Sequence, residues 1–162
     1  MDCCIGYTLD RHIHNQKTIS VSELEERVTF MSTLFRFEFI EKLKIRPIKD
    51  SLNARLQQLT QLGEIEIVDN VISKTAKLKS FTFINFFNKM GMHLMDTYLA
   101  VLMAIMEICN GGLEVLDTNL VNELHNMLIT MTNQGLVLNL QSCLKETIIT
   151  ALSRFYKMGL VE

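Results

Sequence analysis

The stretch Arg55–Ser73, RLQQLTQLGEIEIVDNVIS, changes its hydrophobic period halfway along, and that change decides how the chain folds. Leu56, Leu59 and Leu62, with Leu52 just upstream, recur at the spacing that lines one face of a helix. Gly63 then supplies the left-handed residue that ends a helix. Beyond it Ile65 and Ile67 alternate with Glu64 and Glu66, the period of a half-buried strand. Asp69–Asn70 forms a tight turn before Val71 and Ile72. Helix, glycine, strand, turn, strand is the order of the wing in a winged-helix unit, with a hairpin expected at about Glu64 to Ser73.

Upstream, Ser20 and Glu23 have the spacing of a capping box, so a helix begins at Ser20. Its inner stripe is Leu24, Val28, Met31 and Phe35. The connector EKLKIRPIKD follows, where Pro47 prevents continuation and Asp50 is the expected cap of the second helix. Downstream, a long helix is expected from about Phe81 to Cys109, with Phe83, Phe86, Phe87, Met90, Leu94, Tyr98, Val101, Leu102 and Ile105 inward and Gly111–Gly112 as its stop. A fourth helix starts near Asp117 or Thr118, buries Leu120, Leu124, Met127, Leu128 and Met131, and ends at Gly135. A fifth starts near Ser142, buries Leu144, Ile148, Leu152 and Phe155, and ends at Gly159.

The expected fold is mainly α, with about five helices and one small β-hairpin, a winged-helix-like element. Residues 1–18 are an N-terminal segment without a defined element, 19–75 a helix–helix–hairpin unit, and 76–162 a three-helix unit packed with it as one domain. The ending ALSRFYKMGLVE repeats the pattern of RLQQLTQLGEIEI but stops two or three residues into the expected strand. A truncated product, or a domain cut from something longer, would read this way.

Composition fits a folded globular chain: 162 residues, 48% hydrophobic and 21% charged, with one proline and seven glycines. A net charge of −2 offers no concentrated basic face, which argues against nucleic acid as a partner. Cys3, Cys4, Cys109 and Cys143 include no Cys-x-x-Cys pair and read as reduced thiols facing the cytosol, with palmitoylation or metal binding at Cys3–Cys4 the weaker alternative. The N-terminus lacks the basic flank and apolar run of a signal peptide, and the longest uninterrupted apolar run, Tyr98 to Met106, is far short of a membrane span. That run length predicts that no segment crosses a membrane unaided.

Chemistry is sparse. His12 and His14, in RHIH, lack the cysteine or carboxylate partners of a metal site and read as a solvated pair near a frayed terminus. His93 and Asp96 share one helix face, where a hydrogen bond between them would tune packing rather than catalysis. His125 lies beside the buried stripe of the fourth helix with no nucleophile near it in sequence. Phosphate-binding glycine loops and the G-x-S-x-G elbow are missing. Phe81, Phe83, Phe86 and Phe87 fit a core, or, beside Lys77, Lys79 and Lys89, a lipid interface. Ten methionines suit an adaptable apolar surface. No catalytic residue, metal ligand or cofactor site is assigned.

Several phrases together resemble the region C-terminal to the catalytic domain in glycerol-3-phosphate acyltransferases of the mitochondrial type. They are ISVSELEERVTFMSTLF, LGEIEIVD, FINFFNKMGMHLMDTY with its Asp96-Thr97-Tyr98, and LKETIITALSRFYKMGLVE. The sharpest is LHNMLITMTNQG, where Leu124, His125, Leu128, Ile129, Thr130 and Thr132 match the family. Dihydroxyacetone-phosphate acyltransferases share the pattern more loosely. The resemblance implies an enzyme of glycerolipid and phospholipid biosynthesis that moves an acyl group from acyl-CoA to glycerol 3-phosphate. It implies the cytosolic face of the mitochondrial outer membrane, with peroxisomal or cytoplasmic placement as the alternatives. The family's catalytic signature is H-x-x-x-x-D, with the His as general base. Here the fifth residue after His12 is Lys17, after His14 Ile19, after His93 Tyr98 and after His125 Thr130, and no Phe-Pro-Glu-Gly occurs. The expectation is therefore an accessory portion whose partner is a catalytic domain missing from this chain. The competing reading is a non-enzymatic helical module that binds a protein through its Met- and Phe-rich face.

Overall fold

The computed structural model describes residues 1–14, 18–36, 38, 47–75, 82–111 and 117–161. Among them are six α-helices and a small three-stranded antiparallel sheet, so the fold is mainly α. The chain divides into two compact units, Met1–Gly91 and Met92–Glu162.

The first unit contains α1 (Asp2–His14), β1 (Ile19–Ser20), α2 (Val21–Leu34), α3 (Ile48–Gln61), β2 (Ile65–Val68), β3 (Val71–Lys74) and the opening turns of α4 (Phe83–Asn110). α1 is a sixth helix where the sequence reading placed no element. Its buried stripe is Cys4, Ile5, Thr8 and Leu9, a helical spacing disguised by a threonine and a cysteine. Thr8 is tolerated there because its hydroxyl donates to the Cys4 carbonyl one turn back, at 2.9 Å.

The predicted capping of α2 is present: Ser20 Oγ accepts from Glu23 N at 3.1 Å. Leu24, Val28, Met31 and Phe35 are all buried. Asp50 is not the cap of α3. Pro47 holds that position with its fixed φ, and Asp50 lies in the first turn, where its charge still favours the helix dipole. Leu52, Leu56 and Leu59 face the core, whereas Leu62 is exposed.

β3 is the middle strand, in the order β1-β3-β2. Ile67 pairs with Ile72 on one side, and Ile19 pairs with Ile72 on the other. Asp69 and Asn70 turn the hairpin with φ of 50° and 62°, as a two-residue turn of the I′ kind demands. Helix, strand, helix, helix, strand, strand, with the first strand on the last, is the winged-helix order. The two residues of β1 were too short to read from periodicity, and they turn the expected hairpin into a sheet.

Gly63 closes α3 at φ +70°, with Gly63 N donating to Thr60 O and Glu64 N to Leu59 O, the two bonds of a Schellman motif. A Cβ at Gly63 would meet nothing within 4 Å, so any penalty there is purely one of backbone dihedral. Gly63→Val should therefore cost about 1–3 kcal/mol, and Gly63→Asn distinctly less. Urea titration of the two variants, followed by circular dichroism, checks the order.

The second unit contains the remainder of α4, then α5 (Asp117–Asn133), a 3-10 turn (Leu140–Cys143) and α6 (Lys145–Lys157). Its core gathers Leu94, Tyr98, Val101, Ala104, Leu124, Leu128, Val137, Ile148, Ala151 and Phe155. Tyr98 and Phe155 meet edge to face, with centroids 5.6 Å apart.

Three further expectations change, two of them about burial. On α4, Phe83, Phe86 and Met90 are exposed at 46%, 44% and 51%, while Ile84 and Gly91 take the inner positions. The inner face is set by the close approach of α1, which accepts the small residue and turns the phenylalanines outward. Phe87 is half-buried, and the Arg55 guanidinium lies over its ring at 5.2 Å. Phe81 lies outside the described residues. Leu144, placed in the core of α6, is the exposed N-cap residue instead.

The third change concerns α4 as a whole. By length and composition its 28 residues, with a mean hydropathy of 1.4 over the best window, suffice to cross a membrane. Counting uninterrupted apolar residues missed this, because Asn, His, Asp and Thr interrupt the run without lowering the average enough. Only 39% of that window is buried.

Candidate functional site

The residues singled out for chemistry are packed into hydrogen-bonded ties. His93 and Asp96 do not bond as a pair: the His93 carbonyl accepts from Thr97 Oγ1 and Ser142 Oγ at 2.8 and 3.0 Å, while Asp96 accepts from Asn139 Nδ2 at 2.7 Å. Thr97 Oγ1 is also within 3.0 Å of the Ser142 carbonyl. His125 Nδ1 sits 2.8 Å from the Cys143 carbonyl, so the imidazole donates through Nδ1 and fastens α5 to the 3-10 turn. Cys143 Sγ faces the Thr132 hydroxyl at 3.2 Å, not a histidine. Together these bonds hold the segment 139–143 in place.

The uncharged helix end LHNMLITMTNQG is explained by the same geometry. Thr130 and Thr132 donate back to the carbonyls of Asn126 and Leu128. Gly135, at φ +74°, and Leu136 then bond to Thr132 and Met131, a Schellman close.

His12 is one wall of a groove of about 650 Å³ between α1 and α2, lined also by Tyr7, Arg11, Glu23, Arg27 and Phe30. Arg27 is paired with Glu23 at 2.7 Å, and Arg11 lies over the Tyr7 ring. Among the described residues no group of three His, Cys, Asp or Glu side chains is placed to hold a metal. Cys4 is 1% exposed and is a core residue of α1, out of reach of an acylating enzyme.

Two residues make contacts that their sequence neighbourhood does not announce. Glu64 falls on the solvent side of an alternating strand by period, yet it is 7% exposed and accepts from the Phe83 and Ile84 amides at 2.7 and 3.1 Å. A carboxylate from the end of α3 thus caps the N-terminus of α4. Arg55, on the polar side of α3, grips Asp2 through Nε and Nη2 at 3.0 and 2.5 Å. Neither partner is close in sequence, so periodicity carries no trace of either bond.

The exposed apolar surface is the other outstanding feature. In the second unit Leu136, Leu138 and Leu140 are 65%, 74% and 75% exposed, and Leu144, Ile149, Tyr156 and Leu160 join them.

The profile of the glycerol-3-phosphate acyltransferase C-terminal region matches residues 3–162, and the chain belongs to that family. A search of curated proteins finds no match.

Proposed function

We propose that this chain is the accessory C-terminal portion of a glycerol-3-phosphate acyltransferase, serving the transfer of an acyl group from acyl-CoA to glycerol 3-phosphate without supplying the reacting groups. The observation that carries the reading is the match over residues 3–162 to a region defined as C-terminal, in a sequence where no His is followed by Asp at the catalytic spacing. The partner is the catalytic domain of the same enzyme class, and the exposed leucines of 136–144 supply the apolar surface on which it docks. In a docking trial, a separately expressed acyltransferase catalytic domain is passed over immobilised chain. Retention that falls at least tenfold with Leu138→Asp/Leu140→Asp supports the reading, and no retention refutes it.

The setting we propose is the cytosolic face of the mitochondrial outer membrane, with phospholipid synthesis as the pathway. Membrane contact is supported by Phe83, Phe86 and Met90 standing exposed around Lys89 on the opening turns of α4. Because Phe83 and Phe86 are exposed and Phe87 is half-buried, Phe83→Asp/Phe86→Asp should weaken binding to anionic liposomes several-fold with helicity unchanged. Phe87→Asp should instead lose helicity, since it removes the ring under Arg55 and brings a charge against α1. Liposome co-sedimentation and circular dichroism on the two variants separate these outcomes, and equal sedimentation of the double variant and wild type counts against membrane contact.

A further inference from the structure

In the first unit, one face of α3 and the β2–β3 turn enclose a groove of about 510 Å³. Val21, Leu56 and Ile67 form its apolar floor, and its polar lining is Asn53, Gln57, Thr60, Gln61 and Asn70. Among the described residues no charged side chain lines it. Asn53, Gln57 and Gln61 are spaced by four residues, so they stack along one row of the helix. All three and Asn70 are exposed, and none of their four carboxamides bonds to a described residue. Gln58, one position off the row, is already engaged by Arg55.

A carboxamide offers a donor and an acceptor together, the complement of the N–H and C=O that one residue of an extended chain presents on one edge. Four residues of helix rise about 6 Å. Two residues of extended chain advance about 6.6–6.8 Å, with the same edge returning every second residue. The row therefore meets every second residue along one edge of a strand-like segment, and the small mismatch per step is within the reach of the glutamine arms. Side chains on the other face of that segment would fall on Val21, Leu56 and Ile67.

We propose that this groove binds an extended, uncharged segment of a partner polypeptide through its main-chain amides. Duplex DNA is the natural rival, because α3 and the wing occupy the positions a winged helix presents to it. The electrostatics oppose DNA: Lys49 is the one cation on the row, Asp50 adjoins it, and Asp69 flanks Asn70 at the turn. Phosphate binding draws on several cations at once. The proposal is independent of the acyltransferase reading, since it rests on residues of the first unit alone.

The test uses the full chain and a library of random dodecamer peptides displayed on phage. Selected peptides are synthesised and their affinity is measured by fluorescence polarisation. The enriched sequences are expected to be uncharged at the centre, and Asn53→Ala/Gln57→Ala/Gln61→Ala should weaken them at least tenfold. N-methylation of alternate peptide nitrogens should weaken one register and spare the other. Should the triple variant lose helicity, Gln57→Ala alone should still give a loss of about threefold. Failure to enrich any peptide, affinities unchanged by the substitutions, or tighter binding of a random-sequence 20-base-pair duplex that depends on the same residues would each overturn the proposal.

Discussion

Replacing Glu64 by alanine should lower the stability of the chain by about 2–3 kcal/mol, a large effect for a residue that looks, in sequence, like a solvent-facing position in a strand. Its two carboxylate oxygens take the amides of Phe83 and Ile84, donors at the start of a helix that have no partner within the helix itself. With 7% of the residue exposed, water cannot fully replace those bonds once the carboxylate is gone. Glu64→Gln keeps one acceptor oxygen and loses the charge that favours a helix N-terminus, so it should fall between wild type and alanine. Glu66→Ala, two positions along on an exposed site, should change stability by no more than about 0.5 kcal/mol. Urea unfolding of the three variants, with m-values compared to confirm that the unfolded state is unchanged, measures all of this. Equal effects at Glu64 and Glu66 would show that the cap carries no weight.

Gly6→Leu should be more damaging still, at about 3 kcal/mol or more. A Cβ at Gly6 would lie 2.7 Å from Phe87 Cβ, 2.9 Å from Asn88 N and 3.0 Å from the Ile84 carbonyl oxygen. Two of those three atoms belong to the α4 backbone and cannot swing aside, so α1 must retreat. Its retreat would uncover Cys4, Ile5 and Leu9, all within 1% of full burial. Gly6→Ala should show the same direction at a smaller size, because its side chain ends at the clashing atom. Limited proteolysis gives a readout beside unfolding: cleavage within residues 1–14 should rise sharply for Gly6→Leu. Unchanged protection and unchanged stability would mean that α1 is not packed on the opening turns of α4.

The legible parts of the fold share a cause. α2, α3 and the β2–β3 hairpin each carry a local signal, whether a capping serine, a leucine row, a glycine at positive φ or an Asp–Asn turn, and local signals survive in a string of letters. α1 carries no such signal because Thr8 interrupts its stripe, and the hydrogen bond that makes Thr8 acceptable is visible only in three dimensions. The inner face of α4 is illegible for a related reason. A nearly all-round apolar helix has no period to choose between Phe83 and Ile84; the choice is made by α1, through Gly6 and Gly91. Glu64 and Asn139 act on partners 19 to 43 residues away, a distance over which spacing says nothing. Of the candidate site, the sequence made the family legible through packing phrases such as LHNMLITMTNQG, whereas the exposed leucines at 136, 138 and 140 look like core until their burial is known.

The central claim is that this chain supports acyl transfer without performing it, and the release of CoA tests that claim most directly. Purified chain is incubated with acyl-CoA and glycerol 3-phosphate, and free thiol is measured against a buffer blank. No His here has an Asp at the spacing that would orient it as a base, so the rate should equal the blank. Release of CoA that depends on glycerol 3-phosphate, persists through further purification and disappears on substituting a histidine of this chain would contradict the account.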